Sequence, residues 1–102
     1  MGFLAMLLVG GPAAAAESYD AGVARIQLPK IQRLIDLTAA AADAEDWGLA
    51  CSSSRELSML LGWNLLGLQE IQPGRPWLKA RHFYAQKYTP LLCKAARITG
   101  AY

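Results

Sequence analysis

Cysteine and histidine side chains are the usual starting points for nucleophilic or metal chemistry. This chain of 102 residues contains two cysteines, Cys51 and Cys93, and one histidine, His82. The cysteines lack the Cys-x-x-Cys spacing of redox and zinc sites, and a lone histidine needs carboxylates from elsewhere to complete a zinc site. We therefore expect no metal ion and no cofactor.

Motifs that would support catalysis are missing from the sequence. The serines Ser52–Ser54 have no Gly-x-Ser-x-Gly context, and the chain has no dinucleotide-binding glycine motif, P-loop or haem-attachment motif. His82 and Cys93 are eleven residues apart, on opposite sides of Pro90. We expect a non-enzymatic protein, with a small enzyme that uses His82 as an alternative.

The cysteines have a structural interpretation if the chain is exported. An even number of cysteines in a small exported protein predicts a disulfide, here Cys51–Cys93. The bond would close a loop of about 43 residues, which the chain-entropy model values at about 4 kcal/mol. Two free, buried thiols in a cytoplasmic protein are the alternative.

The N-terminus resembles an export signal. An apolar run, Gly2–Gly10, precedes Gly11-Pro12, and Ala14–Ala16 supplies a small-x-small cleavage pattern. Residues 1–16 are thus predicted to be a signal peptide, residues 17–102 a single helical domain, and the location periplasmic or secreted. No positive charge precedes Arg25, so an apolar N-terminal anchor that is retained, with membrane association, is the alternative.

The element that organises the domain is an apolar helix over Leu57–Leu68. On a helical wheel, large apolar side chains occupy both sides of this stretch, and such a helix must be covered all round. At about 1.5 Å per residue it is about 18 Å long, too short for the roughly 30 Å core of a bilayer. We therefore expect the other helices to wrap it.

A helix on the N-terminal side is predicted to begin at Pro29, after an irregular or extended arm over residues 17–27. Its end is expected near Trp47-Gly48, followed by a polar connection through Ser52–Ser54. Ser53 and Glu56 have capping-box spacing, which would start the central helix there. The predicted buried stripe of the first helix recurs at three- and four-residue steps: Ile31, Leu34, Ile35, Thr38, Ala41 and Ala42.

A third helix is predicted from Pro76, with Trp77, Ala80, Tyr84 and Tyr88 on its core face. A break at Thr89-Pro90 would reset the register so that Cys93 faces inward, and a short fourth piece would follow. The predicted fold class is therefore all-α, a small three- to four-helix bundle with a central apolar helix and one disulfide.

Charge is distributed unevenly along the chain. All eight acidic residues lie at or before Glu70, and cations recur over the last third. This asymmetry predicts an acidic partner or an anionic lipid surface, although an ordinary solvated face is the alternative. The candidate partner-binding residues are Arg75, Lys79, His82, Phe83, Lys87, Lys94 and Arg97.

The predicted function follows from size, export signal and charge. A net charge of +2, without a basic run of five residues, argues against nucleic acid as a partner. We expect a small exported helical protein that binds another protein, as an accessory subunit, inhibitor, immunity-type or chaperone-like protein. A membrane-associated small subunit of a larger complex, with the N-terminal segment retained, is the alternative.

Overall fold

The computed structural model describes residues 17–101 and confirms an all-α bundle. The predicted signal peptide or anchor, residues 1–16, lies outside the described residues. Helix α2 packs between α1 on one side and the C-terminal helices on the other, while the short α3 packs against α1. The elements in order are α1 (Tyr19–Asp43), α2 (Trp47–Trp63), α3 (Leu65–Ile71), α4 (Trp77–Phe83), a π-helical turn (Tyr84–Tyr88) and α5 (Thr89–Thr99).

Helix α1 begins at Tyr19, so the predicted extended arm and the start at Pro29 were wrong. Ser18 caps the helix, because its Oγ accepts a hydrogen bond from the Ala21 N–H at 3.0 Å. The same hydroxyl donates to a carboxylate oxygen of Glu70 in α3 at 2.6 Å. Pro29 lies inside the helix, where it removes one backbone hydrogen bond; the cap and the packing of the first turns against α3 offset that loss.

The boundary between α1 and α2 also differs from the prediction. Helix α1 ends at Asp43, and α2 begins at Trp47 behind Asp46, whose side chain accepts a backbone N–H at 3.4 Å. The predicted capping box at Ser53 and Glu56 was therefore wrong, because Asp46 provides a competing cap seven residues earlier.

The serines that were predicted to form a polar connection lie within α2. Ser53 is buried and donates to the Leu49 carbonyl at 2.7 Å, and its Oγ lies 3.0 Å from Thr38 Oγ1 on α1. Ser54 is also buried and donates to the Cys51 carbonyl at 3.0 Å. Because backbone carbonyls one turn earlier accept these hydroxyls, serines occupy a helix interior without unpaired polar groups.

The core is formed by α1, α2, α3 and α4, and it confirms the predicted stripes of α1 and of the third helix. Asn64, at the α2–α3 junction, is buried and donates to the Leu60 carbonyl at 2.9 Å, as expected for a satisfied core amide. The buried apolar residues of the largest cluster are Ala24, Ile31, Leu34, Leu57, Leu60, Leu61, Leu68 and Trp77.

The prediction that the central helix is covered on every side was wrong. Met59, Trp63 and Leu66 are 50 %, 74 % and 69 % exposed, and they continue along one outer face from α2 into α3. The inward side chains Leu57 and Leu61 are fully buried. The helices described on either side of α2 thus bury most of its surface and leave one outer stripe exposed.

Helix α4, the π-helical turn and α5 follow one another without a gap, so the predicted break at Thr89-Pro90 was wrong. The π-helical turn changes the register of the side chains instead. The Thr89 N–H bonds to the carbonyl of Tyr84, five residues earlier, immediately before Pro90, which has no N–H to donate. The additional residue in this turn rotates everything after it by about 100°. That rotation turns Cys93 inward, and the predicted Cys51–Cys93 disulfide is present with an S–S distance of 2.01 Å.

A candidate protein-binding surface

All seven predicted partner-binding residues are exposed, on the turn before α4 or along the α4–α5 segment. Arg81 is a further exposed cation in this segment that the prediction left out. Within residues 17–101, none of these cations lies within ion-pair distance of a carboxylate, and no acidic residue follows Glu70 in the sequence. No single face of the segment carries all of these cations, since Lys79 and Arg81, two residues apart in α4, are about 200° apart on a helical wheel. We call the exposed surface of residues 75–97 that carries these cations the C-terminal cationic surface: Arg75, Lys79, Arg81, Lys87, Lys94 and Arg97.

At one end of this surface, Arg75 lies over the indole of Trp77. Its guanidinium carbon is 4.8 Å from the ring centroid, and one of its nitrogens is 3.5 Å from the side-chain oxygen of Gln72. A cation–π contact orients the guanidinium without neutralising it. Arg75 therefore remains available to a carboxylate, in a restricted orientation.

Phe83 belongs to an aromatic cluster at the surface. Its ring stacks on Tyr88 with centroids 5.1 Å apart and meets the edge of Tyr84 at 5.3 Å. Residues five apart would be about 140° apart on an α-helix, but a π-helical turn aligns them. The sequence placed Phe83 off the core face, whereas its stacking partner depends on the π-helical turn and was not predicted.

Tyr84 is the titratable group of this cluster with a perturbed pKa. Burial, and then the nearby Tyr88, raise the pKa of Tyr84 above its usual value. The folded state therefore favours the neutral phenol. The resulting stabilisation of the folded state is fully present below the unfolded pKa of about 10.

That contribution is lost as pH rises through the folded pKa of Tyr84. We therefore expect wild-type stability to fall more steeply above pH ~10 than that of Tyr84→Phe. Urea unfolding at neutral and alkaline pH measures this difference. Identical pH dependence of the two proteins would contradict it.

An open apolar groove runs beside the aromatic cluster, between α5 and the start of α2. Its volume is about 340 Å³, and the wall opposite α5 is formed by the end of α1 and the start of α2. Lys87 in the π-helical turn is followed by Leu91, Lys94 and Ile98 on α5 at steps of four, three and four residues, and all four are exposed. The sequence analysis missed Leu91 and Ile98, although this spacing was visible in it. The groove is lined by Ala42, Trp47, Tyr88, Leu91, Leu92 and Ala95.

His82 lies at a separate, shallow depression of about 120 Å³ between turns of the C-terminal helix, with Arg81 and Gln86. Its ring makes no hydrogen bond to any described residue, and both cysteines are in the disulfide, so neither supplies a thiolate to it. In residues 17–101, no three His, Cys, Asp or Glu side chains are close enough to hold a metal ion.

The lengths and hydropathy of the described helices were compared with the requirements of a transmembrane helix. Over residues 17–101, none combines the length and apolar character that a bilayer crossing requires. The disulfide is typical of proteins in oxidising compartments.

No protein-family model matches the chain, and comparisons with curated proteins and with solved structures also found no match.

Proposed function

We propose that this protein is a small, exported, non-enzymatic helical protein that binds another protein through its C-terminal cationic surface. The observation that carries the proposal is the combination of six cations without described carboxylate partners and large apolar side chains exposed between them. Charged groups that lack internal partners are available to an external one, and apolar side chains among them supply the buried centre of an interface.

The charge of this surface defines the partner's chemistry. A segment with six cations and no acids creates a positive potential, which attracts an acidic protein surface and accelerates encounter. Phe83, Leu91 and Ile98 then provide contact area, with Phe83 held by the aromatic cluster. We expect association to be fast at low ionic strength and to slow as salt screens the cations.

Two features support export. The Cys51–Cys93 disulfide suits an oxidising compartment, and residues 1–16 have the composition of a signal peptide apart from the missing positive charge. Export would place the cationic surface against periplasmic or extracellular proteins.

Site-specific cross-linking in the native host tests the proposal. A photoreactive residue at Leu91 should give one discrete protein adduct, and the same residue at Ile26, a position on α1 that is more exposed than Leu91, should give none. Mass spectrometry of the Leu91 adduct identifies the partner, which is then purified.

Binding of the purified partner then decides the proposal. The Lys87→Glu/Lys94→Glu variant should bind at least about tenfold more weakly than wild type, and the deficit should shrink at high salt. An Arg33→Glu variant, which reverses an exposed cation on α1, should bind like wild type. Equal loss in both variants, or an adduct to lipid in place of protein, would contradict the proposal.

A further inference from the structure

The walls of the apolar groove between α5 and the start of α2 are held in place by core contacts. Trp47, on the α2 wall, packs against the buried cluster that contains Leu92 and also against the Cys51–Cys93 disulfide. The disulfide joins α2, which carries Trp47, to α5, which carries Leu92. Because a covalent bond and buried contacts fix both walls, binding in the groove does not carry the entropic cost of forming it.

The groove is large enough for two apolar side chains of a partner. Its volume of about 340 Å³ is roughly twice that of a cavity that holds a benzene ring, about 150 Å³. Its lining on the C-terminal side extends from Tyr88 to Ala95, which is about 10 Å along a helix. Side chains one helical turn apart are separated by about 5–6 Å, so two of them fit within this length.

The α5 edge of the groove is positive. Leu91 lines the groove and is 62 % exposed, and Lys87 and Lys94 lie four residues before it and three residues after it. Both lysines are exposed, and neither is in an ion pair with a described residue. A carboxylate that approaches this edge would therefore find a free cation on either side of Leu91.

The opposite edge is negative. The turn between the lining residues Ala42 and Trp47 contains three exposed carboxylates. Asp46 caps α2, whereas Asp43 and Glu45 form no ion pair within residues 17–101. They lie at the C-terminal end of α1, where the helix dipole disfavours negative charge, so a cation from outside would be favourable here.

We propose, on the basis of the function proposed above, that the groove binds a short amphipathic helix of the partner protein. Two apolar side chains of this helix lie between the walls, with carboxylates toward Lys87 and Lys94 and a basic residue toward Asp43 and Glu45. A helix in an apolar groove needs only side-chain contacts. Residues 17–101 contain no strand, so they offer no sheet edge to which an extended segment could add.

The opposite charges of the two edges favour a protein segment over an anionic membrane. An anionic lipid surface would attract Lys87 and Lys94, but Asp43 and Glu45 would repel it. A helix can carry acidic residues along one side of its apolar stripe and basic residues along the other, which matches both edges.

Glu45 permits removal of a carboxylate from the negative edge without loss of the fold. Its φ is 57°, in the left-handed region, where the residue after a helix is commonly glycine. Glu45→Gly should therefore be at least as stable as wild type in urea. It should nevertheless bind the partner helix at least about threefold more weakly, because the basic residue of that helix loses a carboxylate.

The probe for the groove is a fluorescently labelled synthetic peptide with the partner sequence around the residue that cross-links at Leu91. In anisotropy titrations with the full chain, Ala95→Phe, which fills the groove, should weaken binding at least about tenfold. Ala40→Phe, the same change at an exposed alanine on α1, should bind like wild type. A peptide with its acidic and basic residues exchanged should bind wild type at least about tenfold more weakly. Thermal unfolding of each variant establishes that it remains folded.

Failure of the groove assignment can be distinguished from failure of the proposed function. Equal binding of the peptide by Ala95→Phe and Ala40→Phe, or no effect of the charge exchange, would overturn the groove while protein binding by the cationic surface stood. Absence of a protein adduct at Leu91 would overturn both. Vesicles of anionic phosphatidylglycerol are the comparison probe, and binding to them in preference to the peptide would assign this surface to a membrane and contradict the helix.

Discussion

Replacing Cys51 and Cys93 together by alanine is expected to lower the free energy of unfolding by about 4 kcal/mol. The bond joins residues 42 apart in sequence and ties α2 to α5, so its loss frees a long loop in the unfolded chain. A domain of this size has a total stability of about 5–15 kcal/mol, so this loss is between about a quarter and about four fifths of it. Urea unfolding followed by far-UV circular dichroism measures the loss, and the melting temperature should fall by about 20 °C.

Reduction of the wild-type protein is the matched control for this prediction. Wild type in reductant lacks the cross-link but keeps both sulfur atoms, whereas the double variant loses them as well. Because Cys51 is fully buried and Cys93 nearly so, the reduced wild type should unfold at the same urea concentration as the variant or at a slightly higher one, and the difference measures the packing of the sulfur atoms. A loss below about 1 kcal/mol would contradict the chain-entropy account of this bond.

Gly67→Ala is expected to destabilise the protein by about 3 kcal/mol. Gly67 is buried where α3 crosses the first turns of α1. A Cβ at this position would overlap the backbone carbonyl oxygen of Asp20 and lie 2.8 Å from the Ala24 Cβ. Because the obstacle is backbone, α1 must move, and the contact between Ser18 and Glu70 would move with it. Chemical denaturation gives the magnitude.

Gly62→Ala is the control for this prediction, since Gly62 also lies on the apolar face of a helix. Among residues 17–101, the only neighbour its new Cβ would meet is Arg81 Nε at 3.5 Å, at the end of a flexible side chain. Alanine is favoured over glycine in a helix by about 1 kcal/mol, so this variant should be as stable as wild type or more so. Equal destabilisation at both positions would mean that loss of glycine, and not the approach of α1, causes the effect.

The sequence predicted the buried faces well, because periodicity is a local property. The stripe through Ile31, Leu34 and Thr38 is buried in α1, and Trp77 lies on the core face of α4, as expected. The disulfide was predictable for a simpler reason, since Cys51 and Cys93 have no other cysteine to pair with.

Helix boundaries were predicted less well, because several local signals competed. Pro29 is a strong start signal, but the cap at Ser18 and the contact with Glu70 extend α1 past it. Ser53 has capping-box spacing, but the hydroxyl of Ser53 bonds to the preceding turn inside α2. A long-range contact supports the first case and has no signature in a short window of sequence, whereas the second was decided locally, by the competing cap at Asp46.

For the candidate site, exposure was predictable and arrangement was not. The cations lie outside the apolar periodicity, so the sequence placed them on the surface. The stacking of Phe83 on Tyr88 required the π-helical turn before Pro90, which changes which side chains are neighbours. A wheel drawn with one constant angle cannot represent such a turn.

By itself, the sequence determined the all-α class, the inward faces of the helices, the disulfide partner and the separation of acids from cations. Only the tertiary structure decided that α2 is bare along Met59, Trp63 and Leu66. The sequence shows that these residues are apolar, but it does not show which element, if any, covers them. Their exposure depends on where α1 and α5 lie. Both helices pack on the remaining faces of α2, and the Cys51–Cys93 bond links α5 to it.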